Sequence, residues 1–305
     1  MNSEKPLWGI DMGGTKLEGV ILKSATGTGS IFRDRIPTEA HDGYDHVIAQ
    51  VKKLVAFMRK QTGETPVRIG FGTPGIADPR TGLMKNCNST ILNDKNLKQD
   101  LENALQIPVV LANDANCFAL SEARFGTVQQ QFPGANVVFG VIMGSGVGGG
   151  IVVDGKIISG RQGIAGEWGH NFLDESGGPC YCGKRGCVET IISGTSLERY
   201  YYEQSGHRKV LKDIISDAQL KRDPLAQKTV ERLVHFFGLA LSVVINILDP
   251  DVVVIGGGVG NIDLLYDRGI EALEKFVFNS RLETPVVKPM LGDSAGVFGA
   301  ALLVS

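Results

Sequence analysis

One short, glycine-rich segment holds the residues best suited to bind a metal ion. It reads EWGHNFLDESGGPCYCGKRGCVE, and its four candidate ligands are His170, Cys180, Cys182 and Cys187. Three thiolates and one imidazole form a tetrahedral ligand set for Zn²⁺, and a site with all four positions filled by protein is structural. Such a metal would rigidify the loop and hold the acids at its edges, Glu167 and Glu189, in fixed positions for a polar ligand.

The three clustered cysteines have two other interpretations. They could form one disulfide with a spare thiol, or they could be buried apolar side chains. A Cys-x-Cys disulfide would be strained, and the polar start of the chain, Met1–Pro6, contains no signal peptide. We therefore expect a cytoplasmic protein with reduced cysteines, which favours the zinc site.

The composition is that of an ordinary globular protein. The 305 residues suffice for two domains, and 43% hydrophobic with 21% charged residues is close to the globular average. The net charge of −2 gives no support for binding to nucleic acid or to a membrane surface. We also find no apolar run that approaches the ~20 residues of a membrane-spanning helix. Neither nucleic acid nor a membrane is therefore an expected partner.

Glycines gather at the ends of predicted strands, and one unit occurs twice. It consists of a strand, a glycine-rich turn with a hydroxyl residue, and a returning strand. The first copy is Leu7–Ile10, DMGGTK (Asp11–Lys16) and Leu17–Leu22, and the second is Val137–Met143, GSGVGGG (Gly144–Gly150) and Ile151–Val153. The repetition indicates a duplicated architecture with two hairpins of similar function.

Turns of this kind can bind phosphate, because glycines let successive backbone N–H groups converge on an anion. Thr15 and Ser145 can add hydroxyl donors, and Lys16 can add positive charge. A plain glycine hairpin turn explains either cluster alone equally well. Two matching clusters favour phosphate binding.

A dinucleotide site is the competing interpretation of the second glycine cluster. Gly144, Gly146 and Gly149 satisfy G-x-G-x-x-G, but that fingerprint requires a helix after the glycines, and a β-branched run follows here. The third cluster, Gly256–Gly260, does lead from a strand into a predicted helix, Leu264–Phe278, and could cradle a nucleotide. No acidic residue clearly ends a following strand to bind a ribose, so a nicotinamide enzyme is not expected.

The remaining periodicity alternates between strands and helices and predicts the α/β class. The predicted strands are Val67–Phe71, Val109–Ala112 and Val252–Ile255, and the predicted helices are Tyr44–Arg59, Ala115–Phe125, Leu225–Leu248 and Ala295–Val304. We predict an N-terminal α/β domain of residues 1–117 plus 295–305, and a C-terminal α/β domain of residues 118–294 that carries the zinc loop. The hinge is expected near Cys117–Glu122.

Asp114 is the strongest candidate for a catalytic group. It follows a predicted strand and begins a helix, where α/β sheets place ligands, although an N-cap explains the same position. Together with Asn113, Glu167 and Glu189 it forms a set suited to binding several hydroxyls of one sugar. Its carboxylate could accept the proton of a hydroxyl that attacks a γ-phosphate. Asp11, in the first hairpin, could hold Mg²⁺ or close an Asx-turn.

The motifs taken together resemble those of one family. DMGGTK, GTPG, LANDAN, MGSGVGGG, EWGH, CYCGKRGCVE and IGGGVG occur in this order across essentially the whole chain. This set is similar to the ROK family of bacterial sugar kinases. KNCNSTILN, LANDANCFALSEA, CYCGKRGCVETIISGT and NILDPDVVVIGGGV most resemble its manno(fructo)kinase branch, with N-acetylglucosamine kinases as the nearest neighbours.

The resemblance implies an actin-like ATPase (ribonuclease H-like) fold, with two α/β domains around a cleft. It implies that Asp114 is the catalytic base, that Zn²⁺ is bound by His170, Cys180, Cys182 and Cys187, and that MgATP is the donor. The implied sugar ligands are Gly72, Asn88, Asn113, Asp114, Glu167, His170 and Glu189. The residues expected to bind the nucleotide are Asp11, Gly13, Gly14, Thr15, Lys16, Gly144, Ser145, Gly146, Val147, Gly256, Gly257 and Gly258.

The sequence is therefore interpreted as that of an ATP-dependent hexose kinase that phosphorylates the 6-hydroxyl group of fructose or mannose. The alternatives are an N-acetylhexosamine kinase and a sugar sensor without turnover. The family also contains repressors with an N-terminal helix-turn-helix, and the six residues before the first strand leave no room for one. A homodimer is possible, because dimers are common in the family.

Overall fold

The computed structural model describes residues 5–305, which form two compact units. Unit 1 contains residues 5–133, Gly150–Ala165 and Met290–Ser305, and unit 2 contains Gly134–Gly149 and Gly166–Pro289. Of the polar start Met1–Pro6, residues 1–4 lie outside the described part of the chain. The domain boundaries drawn from the sequence stay a prediction.

The elements alternate as the α/β class requires. The strands are β1 (Leu7–Met12), β2 (Lys16–Leu22), β3 (Ser30–Pro37), β4 (Ile69–Thr73), β5 (Ile76–Ala77), β6 (Met84–Lys85), β7 (Val109–Asn113), β8 (Val137–Met143), β9 (Val147–Val153), β10 (Lys156–Ile157), β11 (Val252–Gly256) and β12 (Val286–Val287). The helices are α1 (Tyr44–Thr62), α2 (Leu97–Leu105), α3 (Asp114–Arg124), α4 (Thr127–Gln131), α5 (Glu189–Ile192), α6 (Gly194–Ser205), α7 (Leu211–Gln219), α8 (Pro224–Leu248), α9 (Gly257–Gly260), α10 (Arg268–Glu274) and α11 (Ala295–Leu302).

Unit 1 is built on a five-stranded sheet of order β3-β2-β1-β4-β7. β1 and β2 form the antiparallel hairpin expected from DMGGTK, whereas β1, β4 and β7 run parallel. The register pairs Asp11 with Gly72 and Thr73 with Asn113. Because the carboxyl ends of parallel strands meet at one edge of a sheet, these four residues lie along that edge.

Helices pack on unit 1's sheet in two different ways. α1 buries Val51, Leu54 and Met58, the apolar face expected from its period. α11 approaches the backbone of β1 and β4 directly: a Cβ atom on Gly9 would lie 2.3 Å from the Ala301 nitrogen. This close contact explains why the last helix is built of small residues.

In unit 2, β8, β11 and β12 run parallel, and β9 follows β8 around the second glycine turn. The unit boundary falls within β9, whose end pairs with β10 in unit 1. Ile142 pairs with Gly256, so the second glycine turn and the Gly256–Gly258 segment lie at the same sheet edge. A strand follows Gly144–Gly146, as the rejection of a dinucleotide fingerprint requires.

One helix in the described part of the chain, α8, is long and apolar enough to cross a membrane by length and composition alone. Charged residues, among them Glu231 and Arg232, interrupt its sequence, so it is not a continuous apolar run of the length expected for a membrane span. Leu233, Phe237 and Leu241 are fully buried and belong to the core of unit 2. A buried core helix satisfies the same criterion, so it is weak evidence for a membrane span.

The predicted helix Leu264–Phe278 is wrong in extent. A 3₁₀ turn, Asp263–Tyr266, comes first, and α10 follows only at Arg268. Asp267 between them has φ −120° and ψ −87°, which is outside the helical region and breaks the hydrogen-bond ladder. The returning strand of the second hairpin, predicted as Ile151–Val153, begins four residues earlier at Val147, because the last glycines of the predicted turn pair as part of β9. The remaining predicted strands and helices are confirmed to within a few residues at their ends.

Candidate functional site

The proposed catalytic carboxylate is the first residue of a helix and not its cap. The N-cap of α3 is Asn113, whose Oδ1 accepts a hydrogen bond from the Ala115 N–H at 2.9 Å. Oδ1 of Asp114 accepts from the same N–H at 2.7 Å. Burial raises the pKa of Asp114, and the hydrogen bonds from Ala115 and Asn113 oppose that shift. Its side chain is therefore anchored at the sheet edge in a partly desolvated position.

A second carboxylate, Asp11, lies at the same edge of unit 1. Gly72 and Gly296 leave room for it. A Cβ atom added to Gly72 would lie 3.2 Å from Oδ1 of Asp11, and one added to Gly296 would lie 2.9 Å from Oδ2. Burial raises the pKa of Asp11 to about 7, and the negative charge of Asp114 adds to the shift. A divalent cation would relieve both effects, so this pair of acids is suited to one.

The first glycine turn is a tight hairpin connection. The Gly13 N–H donates to the Lys16 carbonyl at 2.9 Å, while Thr38 holds the turn through its hydroxyl group, which donates to the Gly13 carbonyl at 2.7 Å. Gly14, Thr15 and Lys16 are exposed. Their backbone and side-chain donors can reach an anion in solvent.

The cysteine and histidine side chains form a compact set of ligands in unit 2. One ligand atom from each of His170, Cys180, Cys182 and Cys187 lies within 4.8 Å of all the others. Cys182 Sγ lies 3.7 Å from Cys187 Sγ, and Cys180 Sγ lies 3.6 Å from His170 Nδ1. A tetrahedral Zn²⁺ site requires about 3.8 Å between two sulfurs and about 3.6 Å between sulfur and nitrogen. The spacing therefore fits zinc.

All five cysteines are free thiols, so the disulfide interpretation has no support in the described part of the chain. The other ring nitrogen of His170, Nε2, lies 3.0 Å from the Tyr181 hydroxyl group, and the two rings meet edge to face. A hydrogen bond at the outer nitrogen fixes the orientation of a metal-binding imidazole. Burial, followed by the charges of Glu189 and Glu167, raises the pKa of Tyr181.

The second glycine turn is joined to residues 167–189, the segment that carries the candidate metal ligands and is called the metal loop below. Gly144 N–H donates to the Gly146 carbonyl at 2.9 Å, and the Val147 N–H donates to Oε2 of Glu189 at 3.0 Å. Trp168 also reaches β9, because its indole N–H donates to the Gly148 carbonyl at 3.1 Å. Glu167 and Glu189, expected from the sequence to flank one site, thus belong to segments that both contact the β8–β9 hairpin.

Two adjoining cavities lie beside this turn. The first, about 320 Å³, is lined by Gly144, Ser145, Gly194, Thr195, Glu198, Leu211, Gly258 and Val259. The second, about 510 Å³, shares Thr195 and Glu198 with the first and adds Arg199, Tyr202, Arg208, Lys209 and Val210. The Thr195 hydroxyl group donates to the Ser145 carbonyl at 2.5 Å, which ties α6 to the turn.

The structure divides the candidate residues between the two units. Asp11, Gly13, Gly14, Thr15, Lys16, Gly72, Asn88, Asn113 and Asp114 belong to unit 1. Gly144, Ser145, Gly146, Val147, Glu167, His170, Cys180, Cys182, Cys187, Glu189, Gly256, Gly257 and Gly258 belong to unit 2. Asn88 is an exposed loop residue whose N–H donates to the Pro74 carbonyl at 3.1 Å.

Sequence reasoning missed Tyr181, Thr195 and Tyr202. Tyr181 lies between two of the clustered cysteines, and that adjacency could have indicated a residue beside the candidate metal ligands. The other two lie on α6, whose N-cap Ser193 begins the SGT sequence and could have indicated the start of the helix.

Comparisons with known proteins agree with this architecture. The model of the ROK family matches residues 7–305. N-acetyl-D-glucosamine kinase of Haemophilus influenzae (strain 86-028NP) is 34% identical over 307 residues, covering 97% of this chain and 98% of the relative. The ROK hexokinase of Thermus thermophilus has a TM-score of 0.86 at 30% identity, covering 97% of both chains.

A third relative is a ROK family glucokinase from Streptomyces griseus, solved in complex with glucose and AMPPNP. Its TM-score is 0.77 at 26% identity, and 98% of both chains is covered. These neighbours confirm the actin-like ATPase fold expected from the motifs. Because the family model and full-length relatives cover nearly the whole sequence, the chain belongs to the ROK family.

Proposed function

We propose that this protein is an ATP-dependent N-acetylhexosamine kinase that phosphorylates the 6-hydroxyl group of its sugar, with N-acetylglucosamine as the leading substrate. The observation that carries the proposal is its likeness to the N-acetyl-D-glucosamine kinases, which extends over 97% of the chain. A preference for fructose or mannose, expected from the sequence, has no support among these relatives. A hexose kinase is the second candidate, favoured by the likeness to the Thermus thermophilus hexokinase.

More relatives support the assignment to the sugar kinases than support any one sugar as the substrate. The N-acetyl-D-glucosamine kinases and the Thermus thermophilus hexokinase each match 97% of this chain, and the chain is a sugar phosphotransferase. A sensor without turnover is disfavoured, because Asp114 and both glycine turns are intact.

Asp114 is the proposed general base. A raised pKa makes a carboxylate a better proton acceptor, and burial shifts the pKa of Asp114 in that direction. Its carboxylate would take the proton of the 6-hydroxyl as that oxygen attacks the γ-phosphorus of ATP. The remaining hydroxyls and the acetamido group would be held by Gly72, Asn88, Asn113, Glu167, His170 and Glu189.

The donor is proposed to be MgATP, with its phosphates on the two glycine turns. Asp11 would hold Mg²⁺ or its water ligands, since its neighbouring acid Asp114 makes a cation favourable there. The backbone of Gly13–Lys16 and of Gly144–Val147 would supply N–H groups to the phosphates. The nucleoside would lie against Gly256–Gly258 in the two adjoining cavities of unit 2.

Zn²⁺ is the proposed resident ion of the cysteine cluster, held by His170, Cys180, Cys182 and Cys187. When bound, it cross-links the loop and supplies no open coordination position, so its contribution is structural. The loop in turn orients Glu167 and Glu189, which flank the ligand residues in the sequence.

We also propose a cytoplasmic location, where ATP is available, and a homodimer as the assembly, which mass photometry would test. The activity itself is tested by a coupled ADP-release assay with MgATP. The panel comprises N-acetylglucosamine, N-acetylmannosamine, glucose, mannose, fructose and allose. The proposal predicts the highest kcat/KM on an acetamido sugar. Highest kcat/KM on a plain hexose would establish the second candidate, and no turnover on any sugar would restore the sensor.

A further inference from the structure

The carboxylate of Glu189 lies against the second glycine turn. Oε2 of Glu189 accepts the Val147 N–H at 3.0 Å, and a Cβ atom added to Gly146 would lie only 2.4 Å from the same oxygen. The Glu189 side chain therefore fills the space directly over the turn. Glu189 begins α5, two residues after Cys187, so the metal loop fixes where this carboxylate starts.

The carboxylate of Glu189 takes both the Val147 N–H and the space over Gly146 that a phosphate on this turn would need. A phosphate that used the Val147 N–H would have to displace the carboxylate, and the two negative groups would repel each other at contact distance. If Glu189 instead turns to donor groups of a bound sugar, the N–H becomes available to phosphate. Glu189 thus has two alternative partners. When it binds the Val147 N–H it blocks the phosphate site of the donor, and when it binds the sugar it leaves that site open.

We propose that Glu189 is a latch that keeps the β8–β9 turn closed to nucleotide until the sugar binds. This rests on the proposed function, because it assumes that the turn binds phosphate and that Glu189 binds sugar. Sugar binding then tightens nucleotide binding, and by linkage nucleotide tightens sugar binding by the same factor. The order of binding protects ATP from transfer to water when no sugar is present.

The test is calorimetric binding of Mg·AMPPNP to the zinc-loaded full-length protein, with and without the sugar that the wild type phosphorylates fastest. A charge-assisted hydrogen bond to a backbone N–H contributes enough to change affinity by roughly tenfold. The wild type should therefore bind Mg·AMPPNP about tenfold tighter when saturated with sugar.

Two variants break the latch in different ways. Glu189→Gln keeps the side-chain length and removes the charge, whereas Glu189→Asp keeps the charge but shortens the reach to Val147. Both should bind Mg·AMPPNP about tenfold tighter than the wild type in the absence of sugar. Glu175→Gln is the matched control, because Glu175 lies exposed on the same loop beside Arg185, and its affinity for Mg·AMPPNP should stay at the wild-type value.

Two results would overturn the latch: sugar that leaves the nucleotide affinity of the wild type unchanged, or Glu189 variants that bind nucleotide no tighter than the wild type without sugar. Retention of zinc and of the far-ultraviolet circular dichroism spectrum establishes that each variant is folded. A wild type that phosphorylates no sugar would instead remove the proposed function. The turnover assay and the sugar-free nucleotide titration are separate measurements, so the two failures are distinguishable.

Discussion

Asn113 and Asp114 share one backbone donor: both side-chain Oδ1 atoms accept from the Ala115 N–H, at 2.9 and 2.7 Å. Asn113 caps α3, which leaves Asp114 inside the first turn of the helix with its carboxylate at the carboxyl edge of the sheet. If Asp114 served only as the N-cap of α3, it would occupy the position that Asn113 holds. The capping role is thus filled by a neighbour, and Asp114 is available for chemistry.

Replacing the proposed base should separate turnover from binding. Asp114→Asn keeps the shape and loses basicity, so we expect kcat to fall by roughly 10²- to 10⁴-fold while the KM for sugar changes little. Steady-state assays with the best sugar measure both. Asp34→Asn, at an exposed acid on β3, is the control and should keep wild-type kcat. Near-normal turnover by Asp114→Asn would remove Asp114 as the base.

Breaking the metal cluster should weaken sugar binding through the loop. Cys182→Ser removes one of four ligands, and we expect metal content by atomic absorption to fall from about one Zn²⁺ per chain and the KM for sugar to rise about tenfold. Cys87→Ala is the control, since Cys87 is a buried thiol of unit 1 outside the cluster. A Cys182→Ser protein that keeps a full equivalent of zinc would show that the ligand assignment is wrong.

The larger cavity should contribute to nucleotide binding. Tyr202 lines it, with the Arg208 guanidinium centre 5.6 Å from its ring centroid, a pair suited to stack on a purine. Tyr202→Ala should raise the KM for ATP by roughly five- to tenfold, corresponding to the loss of one base–aromatic stack, with the KM for sugar unchanged. Tyr200→Ala is matched to it, because Tyr200 lies on the same helix and contacts Arg232. Equal effects of the two substitutions would exclude a role of the cavity in nucleotide binding.

The buried acid pair of unit 1 should make stability depend on pH. The pKa of Asp11 is raised to about 7 in the folded state, so the folded chain holds this proton more tightly than the unfolded chain. The contribution of Asp11 to the free energy of unfolding is therefore complete below the pKa of about 4 that it has in the unfolded chain. This contribution is lost as the pH rises through 7. Between pH 5 and pH 8, we expect metal-free protein to lose up to about 3 kcal/mol of unfolding free energy through Asp11.

Urea unfolding in EDTA at the two pH values measures this loss. Asp11→Asn carries no titrating proton and should show a flatter dependence on pH, whereas the exposed substitution Asp34→Asn should behave as the wild type does. Stability of the wild type that does not fall between pH 5 and pH 8 would contradict a raised pKa at Asp11.

The positions of candidate residues at the carboxyl ends of strands could be predicted from the sequence. Asp11, Asn113 and Asp114 each follow a short apolar run, and the parallel pairing of β1, β4 and β7 aligns such positions without further information. Spacing alone also predicted that the side chains of His170, Cys180, Cys182 and Cys187 cluster, because all four come from one local segment. Both glycine turns could be found for the same reason.

Features created by packing between distant segments could not be predicted. The hydrogen bond from Val147 to Glu189 spans 42 positions, and the contact of Thr195 with Ser145 spans 50. Neither pair has a local pattern that indicates it. Apolar periodicity likewise continued through Asp267, although the backbone there leaves the helical region.

The most direct test of the central claim is a competition experiment. N-acetylglucosamine, glucose and fructose are mixed at equal concentration with a limiting amount of MgATP, and the products are identified by ³¹P and ¹H NMR. The proposed function predicts that N-acetylglucosamine 6-phosphate is the main product. Predominant formation of a phosphate of glucose or fructose would contradict the assignment to acetamido sugars, and phosphate on a hydroxyl other than the 6-hydroxyl would contradict the proposed acceptor position.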